Sequence, residues 1–219
     1  MIILPFGLIG LGFLSGVRHA FDADHIAAVS TIVSRQKSIA KSAITGAFWG
    51  IGHGIALLAV GFFVILFKAR IPEKITLMLE AAVGIMLILL GINVILTMKK
   101  SMIHFHRHMH GNFKHVHFHS HKLEKHHNHK HSSMLVGFIH GLAGSAALAL
   151  IALATISSAW IGLLYILLFS MGSIAGMVLV TSAISLPFAM IPKRLEKIET
   201  SLKLSTAIAS IIIGFFIII

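Results

Sequence analysis

Long apolar stretches separated by short basic ones set the pattern of this chain. The first runs from Ile2 to about Val33, interrupted by one charged cluster. Others cover Ser42 to Phe67, Ile75 to Met98, Met134 to about Ser157, about Trp160 to Met190, and Leu204 to Ile219. At 1.5 Å per residue most of these suffice to cross a hydrocarbon core of ~30 Å, and the last is short. As a single helix the first run would measure about 46 Å, so it reads either as one long tilted helix or as one broken near Ser15 and Gly16. The N-terminus shows neither the basic region nor the small-residue cleavage site of a leader, and the run from Ile2 onward therefore reads as a retained span. The expected fold is all-α: a polytopic membrane helical bundle of about six transmembrane helices.

Residues 99–133 differ in kind. They are polar and basic, without the apolar periodicity that builds a core, and they hold twelve of the sixteen histidines. The chain thus divides into a three-helix half at 1–98, a His-rich loop at 99–133 and a second three-helix half at 134–219. Gly12-Phe13-Leu14-Ser15-Gly16 resembles Gly137-Phe138-Ile139-His140-Gly141, Ile26-Ala27 falls on Ile151-Ala152 at the same offset, and Gly50 with Gly54 matches Gly172 with Gly176. With three spans in each half, such a repeat is inverted across the membrane, a recurrent transporter design. The alternative is the chance recurrence of small residues that any packed membrane bundle shows.

Composition agrees with a membrane protein: 57% of residues are hydrophobic and only 11% charged, which leaves no separate soluble domain. Mean hydropathy is +0.93. The absence of cysteine removes disulfides, thiol redox chemistry and thiolate metal sites, and argues against a Cu(I) carrier. The scattered methionines read as packing. A net charge of +11 suggests nucleic acid, but the basic residues sit in short loops between apolar runs, where they act as topology signals facing anionic lipid. The linkers after the first, third and fifth spans hold three, seven and four Lys or Arg, against three and none after the second and fourth. That asymmetry puts the His-rich loop in the cytoplasm and both termini outside; a broken first run counted as two spans would move the N-terminus inside and leave the rest unchanged.

The chemistry concentrates in Arg18-His19-Ala20-Phe21-Asp22-Ala23-Asp24-His25. Ionisable groups inside an apolar run are expensive and mark an ion or substrate path, with mutual pairing as the main alternative. Histidine with aspartate suits a divalent transition metal. On a regular helix His19, Asp22 and His25 share a face and Asp24 points away, so all of them converge on one ion only if the helix is distorted. Arg18 and Asp22 are spaced to form a salt bridge, the bland alternative for Asp22. His53 lies mid-span in Gly50-Ile51-Gly52-His53-Gly54, where small neighbours admit another backbone. His140 follows Gly137-Phe138-Ile139 in the repeat position of Ser15. Asn93 and Glu80 are weaker candidates. In the loop, His104, His106, His108, His110, His115, His117, His119, His121, His126, His127, His129 and His131 can chelate Ni, Cu, Zn or Co with adaptable geometry. No Gly-x4-Gly-Lys-Ser/Thr element is present, so direct ATP coupling within the chain is not expected.

His19-Ala20-Phe21-Asp22-Ala23-Asp24-His25, a histidine followed after four residues by Asp-His, resembles the signature of the nickel/cobalt transporter superfamily. Its shorter branch, the NicO and urease-accessory membrane proteins, is the most similar. Ile51-Gly52-His53-Gly54 resembles the family's second Gly-His element, and Gly137-Phe138 with His140-Gly141-Leu142-Ala143-Gly144-Ser145 sits where a further signature is expected. The longer members carry carboxylates after that Gly-Phe pair, whereas Ile139 and His140 stand here. The resemblance implies a multi-pass cell-membrane permease for Ni2+ or Co2+, not an enzyme and without a resident cofactor. Its ion would be held by His19, Asp24, His25 and His53 with help from Asp22 or His140, and Arg18 would balance charge in the empty site. The partners implied are the divalent ion and the lipid bilayer, with no nucleic acid; a cytoplasmic metallochaperone and a second copy of the chain stay open. The competing readings are a nickel or cobalt efflux permease, a membrane-embedded metal-binding accessory protein, and a metal-dependent hydrolase.

Overall fold

The computed structural model describes residues 3–67, 71–102, 105–110, 113–118, 132–144, 158–192 and 195–219. Among them are seven helices: α1 (Ile3–His19), α2 (Ala23–Val33), α3 (Ile39–Phe67), α4 (Glu73–Met102), α5 (Ser132–Gly144), α6 (Ala159–Met190) and α7 (Glu196–Ile218). Of these α3, α4, α6 and α7 are long and apolar enough to cross a membrane. The rest of the fourth expected span, 145–157, lies outside the described residues. So do most of the loop histidines, although an antiparallel hairpin, β1 (Phe105–His110) and β2 (Phe113–Phe118), occupies part of the His-rich loop.

The first apolar run is broken, but at Ala20–Asp22 and not near Ser15 and Gly16. Gly16 stays helical because it is a contact residue: a Cβ there would overlap the Phe169 carbonyl and the Ser173 backbone of α6. The chain turns instead through tight bonds, Phe21 N–H to the Arg18 carbonyl at 2.9 Å and Asp22 N–H to the His19 carbonyl at 3.0 Å. Asp22 then takes an extended conformation (φ −63°, ψ 148°) as the N-cap of α2, a position aspartate favours. α7 starts eight residues before the expected Leu204. Acidic Glu196 and Glu199 suit a helix N-terminus, and Glu199 meets Lys203 one turn on at 2.6 Å.

Helix pairing follows the small residues, as expected where lipid removes any hydrophobic drive between helices. α1 lies parallel to α6, with Gly16 on the Phe169 carbonyl and Gly172 on the Phe13 carbonyl. In the same way α5 lies parallel to α3, with Gly137 on the Trp49 carbonyl and Gly52 on that of Met134. α3 and α6 run antiparallel through the centre, Gly50 against Ile174 and Gly54 against Ser170. α4 and α7 meet at Gly84 and Gly214, and Ser210 Oγ donates to the Leu87 carbonyl at 2.8 Å. α2 packs on α7, α6 and α4, where Ala27, Ala28, Val29 and Val33 join Trp49, Leu87, Met177 and Val180 in the buried core. The break between α1 and α2 therefore sits beside the middle of α3.

Candidate metal centre

Four helices deliver four imidazoles to one place. The break supplies His19 from the end of α1 and His25 from the first turn of α2, α3 supplies His53 and α5 supplies His140. His25, His53 and His140 are buried at 0%, 0% and 2% exposure, which leaves water unable to satisfy their ring nitrogens. Ring centroids lie 4.5 Å apart for His19 and His25, 5.2 Å for His19 and His53, 5.2 Å for His25 and His53, and 4.0 Å for His25 and His140. The glycines of α3 explain the convergence: Gly52 admits α5 on one side and Gly50 with Gly54 admits α6 on the other, so His53 is enclosed from both.

The two aspartates act on the rings. Asp22 Oδ2 is 2.7 Å from His19 Nδ1. Asp24 Oδ1 lies 2.9 Å from the His25 backbone N–H and 3.0 Å from His25 Nδ1, and its Oδ2 lies 2.9 Å from His140 Nε2. An ionised carboxylate only accepts, and a neutral imidazole carries a single proton. Facing Asp22 and Asp24, His19 and His25 hold that proton on Nδ1 and are left with a bare lone pair on Nε2. Both Nε2 atoms are buried without a partner among the described residues, as are both nitrogens of His53 and Nδ1 of His140. A buried polar atom left unpaired costs about 1–3 kcal/mol, so such a concentration in one spot demands an explanation. A carboxylate that fixes the tautomer of a histidine whose other nitrogen binds metal is the usual arrangement around a ligated ion.

Two groups have donor atoms that all lie within 4.8 Å of one another: His19, His25 and His53, and Asp24, His25 and His140. Nitrogens on opposite sides of a divalent metal stand about 4 Å apart, twice a bond of ~2.1 Å, so small side-chain adjustments close either group on an ion. The helix ends add to this. The carbonyls at the C-terminus of α1 present the negative end of its dipole beside His19, and the N-terminus of α2 favours the charges of Asp22 and Asp24.

Measured against the sequence, His19, Asp24, His25, His53 and His140 are brought together. Asp22 belongs with them through His19, and its bond to that ring is why its side chain makes no cap bond on α2. The salt bridge with Arg18 is not formed among the described residues; Arg18 is exposed. Asp24 turns into the site because the break resets the helical phase. Asn93 and Glu80 are exposed on α4. Trp49 was not expected here. Its indole stacks on His25 at 6.2 Å and 11°, lies 5.9 Å from His140, and keeps Nε1 buried without a partner among the described residues. The signal was its position one turn before His53 on α3.

Residues 5–219 match the family described as high-affinity nickel-transport protein, NicO. A urease accessory protein, UreH, of Bacillus sp. (strain TB-90) is 39% identical over 189 residues, covering 86% of this chain and 81% of that protein. No solved structure matches the chain.

Proposed function

From the premise that the chain belongs to the NicO family of high-affinity nickel-transport proteins, we propose that it carries nickel, and cobalt as a close mimic, across the membrane through the His19–His25–His53 centre. It is a multi-pass membrane transport protein of the nickel-transport class and not an enzyme. The observation that carries the site is the set of unpartnered ring nitrogens, three of them (His19 Nε2, His25 Nε2 and His140 Nδ1) left as bare lone pairs because an aspartate holds the ring proton on the opposite nitrogen. Imidazole suits nickel and cobalt, and the lack of cysteine leaves no softer competitor for them. A donor set that is complete enough to select but short of a full coordination shell also lets the ion go.

The packing supports an inverted repeat of two three-span halves. α1 rests on α6 as α5 rests on α3, α4 and α7 meet glycine to glycine, and the centre lies where the halves touch. Counting α1 and α2 as one interrupted crossing, with α5 inside the fourth apolar run of the sequence, keeps the expected six spans. A discontinuous helix at a mid-membrane ion site is a recurring feature of such transporters. The loop charges put the His-rich segment in the cytoplasm, where it gathers arriving ions. High affinity suits uptake of a scarce ion, which favours import over export.

The test is uptake of radiolabelled nickel and cobalt into proteoliposomes. Wild type accumulates both, and His19→Ala, His25→Ala and His53→Ala each abolish accumulation. Flux that persists in all three variants would remove the centre from the pathway. In cells, import raises cell-associated nickel on expression, whereas export lowers it.

A further inference from the structure

His25 is common to both groups of donors, and its two ring nitrogens are differently engaged. Nε2 is left without a partner and so is the nitrogen available to an ion shared with His19 and His53, while Nδ1 is held by Asp24, whose other oxygen holds His140 Nε2. The 4.0 Å separation of the His25 and His140 rings is the shortest among the four imidazoles for which a ring contact is formed. Resting on the transport reading above, we propose that Asp24, His25 and His140 form a second ion station, and that the ion is handed from Nε2 to Nδ1 of the shared His25 in transit.

The chemistry of one ring makes the two stations exclusive. A neutral imidazole carries one proton and offers one lone pair. With the ion on Nε2, the proton stays on Nδ1 in its bond to Asp24. With the ion among Asp24, His25 Nδ1 and His140 Nε2, it takes the place of two hydrogen-bond protons; each moves to the far nitrogen of its own ring, Nε2 of His25 and Nδ1 of His140, and no net proton is gained or lost. The two stations therefore require opposite tautomers of His25 and cannot be filled together. They also differ in character. The first is three neutral nitrogens; the second adds a carboxylate contributed from the same turn of α2 and a ring from the other half of the chain. Successive sites that cannot both be occupied keep an ion from settling, which is what conduction through a high-affinity site requires. Trp49 covers His25 and His140 together and so watches the hand-over.

The test uses the full chain in detergent with Trp160→Phe, so that the remaining tryptophan, Trp49, reports ions at the centre and not in the loop. Co2+ is the probe, and the same proteins are reconstituted for nickel uptake. His53→Asn damages only the first station and His140→Asn only the second; asparagine at 140 can still donate to Asp24, which protects the fold. Each single variant is expected to keep saturable Co2+ quenching while uptake falls at least about tenfold, the scale of loss at a damaged metal site. The double variant and His25→Ala are expected to lose the quenching. Uptake by His140→Asn at the wild-type rate, or loss of all saturable quenching in His53→Asn alone, would overturn the second station. If wild type binds Co2+ in this pattern yet moves no nickel, the transport reading fails and the two-station binding stands.

Discussion

Replacing Asp22 with asparagine separates two accounts of one carboxylate. If Asp22 served to neutralise Arg18, its loss would leave the metal centre untouched. In the structure it accepts from His19 Nδ1 at 2.7 Å, a charge-assisted bond that fixes the tautomer and raises the basicity of Nε2. Partners of this kind change metal affinity by about 10–100-fold when removed. The Asp22 side chain is 55% exposed, so solvent screening puts the expected loss at the lower end. That is about tenfold, or ~1.4 kcal/mol. Stability should barely move, within about 0.5 kcal/mol, because the side chain caps nothing and fills no core. Co2+ titration followed by Trp49 emission in a Trp160→Phe background measures the affinity, and a thermal melt measures the stability. Arg18→Gln is the control and should titrate like wild type. An Asp22→Asn protein with affinity within about twofold of wild type, or an Arg18→Gln protein that reproduces the loss, would refute the reasoning, since neither is compatible with a second-sphere effect of the stated size.

Other expectations follow from the packing and the loop. Gly137→Val drives side-chain atoms into the Trp49 carbonyl and indole, so it should cost about 1–3 kcal/mol or more and lower the melting temperature; a wild-type melt would show that α3 and α5 are not so close. Glu199 ties Lys37, in the linker before α3, to Lys203 at 2.7 and 2.6 Å; with both lysines partly exposed, Glu199→Gln should cost no more than about 1 kcal/mol in a denaturation series. Removing residues 103–131, which spares the ends of α4 and α5, should leave nickel uptake intact and shift its concentration dependence. Complete loss of flux in that deletion would place the loop inside the pathway.

The span pattern was readable because length and apolarity alone decide what can sit in lipid: α3, α4 and α6 begin and end within a few residues of their apolar runs. The start of α7 was not, since its first two turns are polar and held by ion pairs that hydropathy ignores. At the centre, His19, Asp24, His25 and His53 could be named because charge in an apolar run has few other uses, and His140 through its place in the repeat. Their arrangement could not be read. A helical wheel assumes unbroken phase, and the three-residue break at Ala20–Asp22 rotates Asp24 inward and frees Asp22 for His19. Trp49 escaped notice because an aromatic ring in an apolar helix reads as packing, and only its place one turn before His53 marked it.

At the proposed first station both aspartates face ring protons, so an ion there would meet only neutral nitrogen. The negative charges belong to the protein and stay where they are, so what the proposed transport moves is a bare double charge. A charge crossing the full bilayer gains or loses about 2.3 kcal/mol per 100 mV, and a dication twice that. Voltage alone can thus supply a driving force of roughly 4.6 kcal/mol per 100 mV for inward movement into a negative interior, and a potassium diffusion potential imposed across liposomes would set both the rate and the final accumulation.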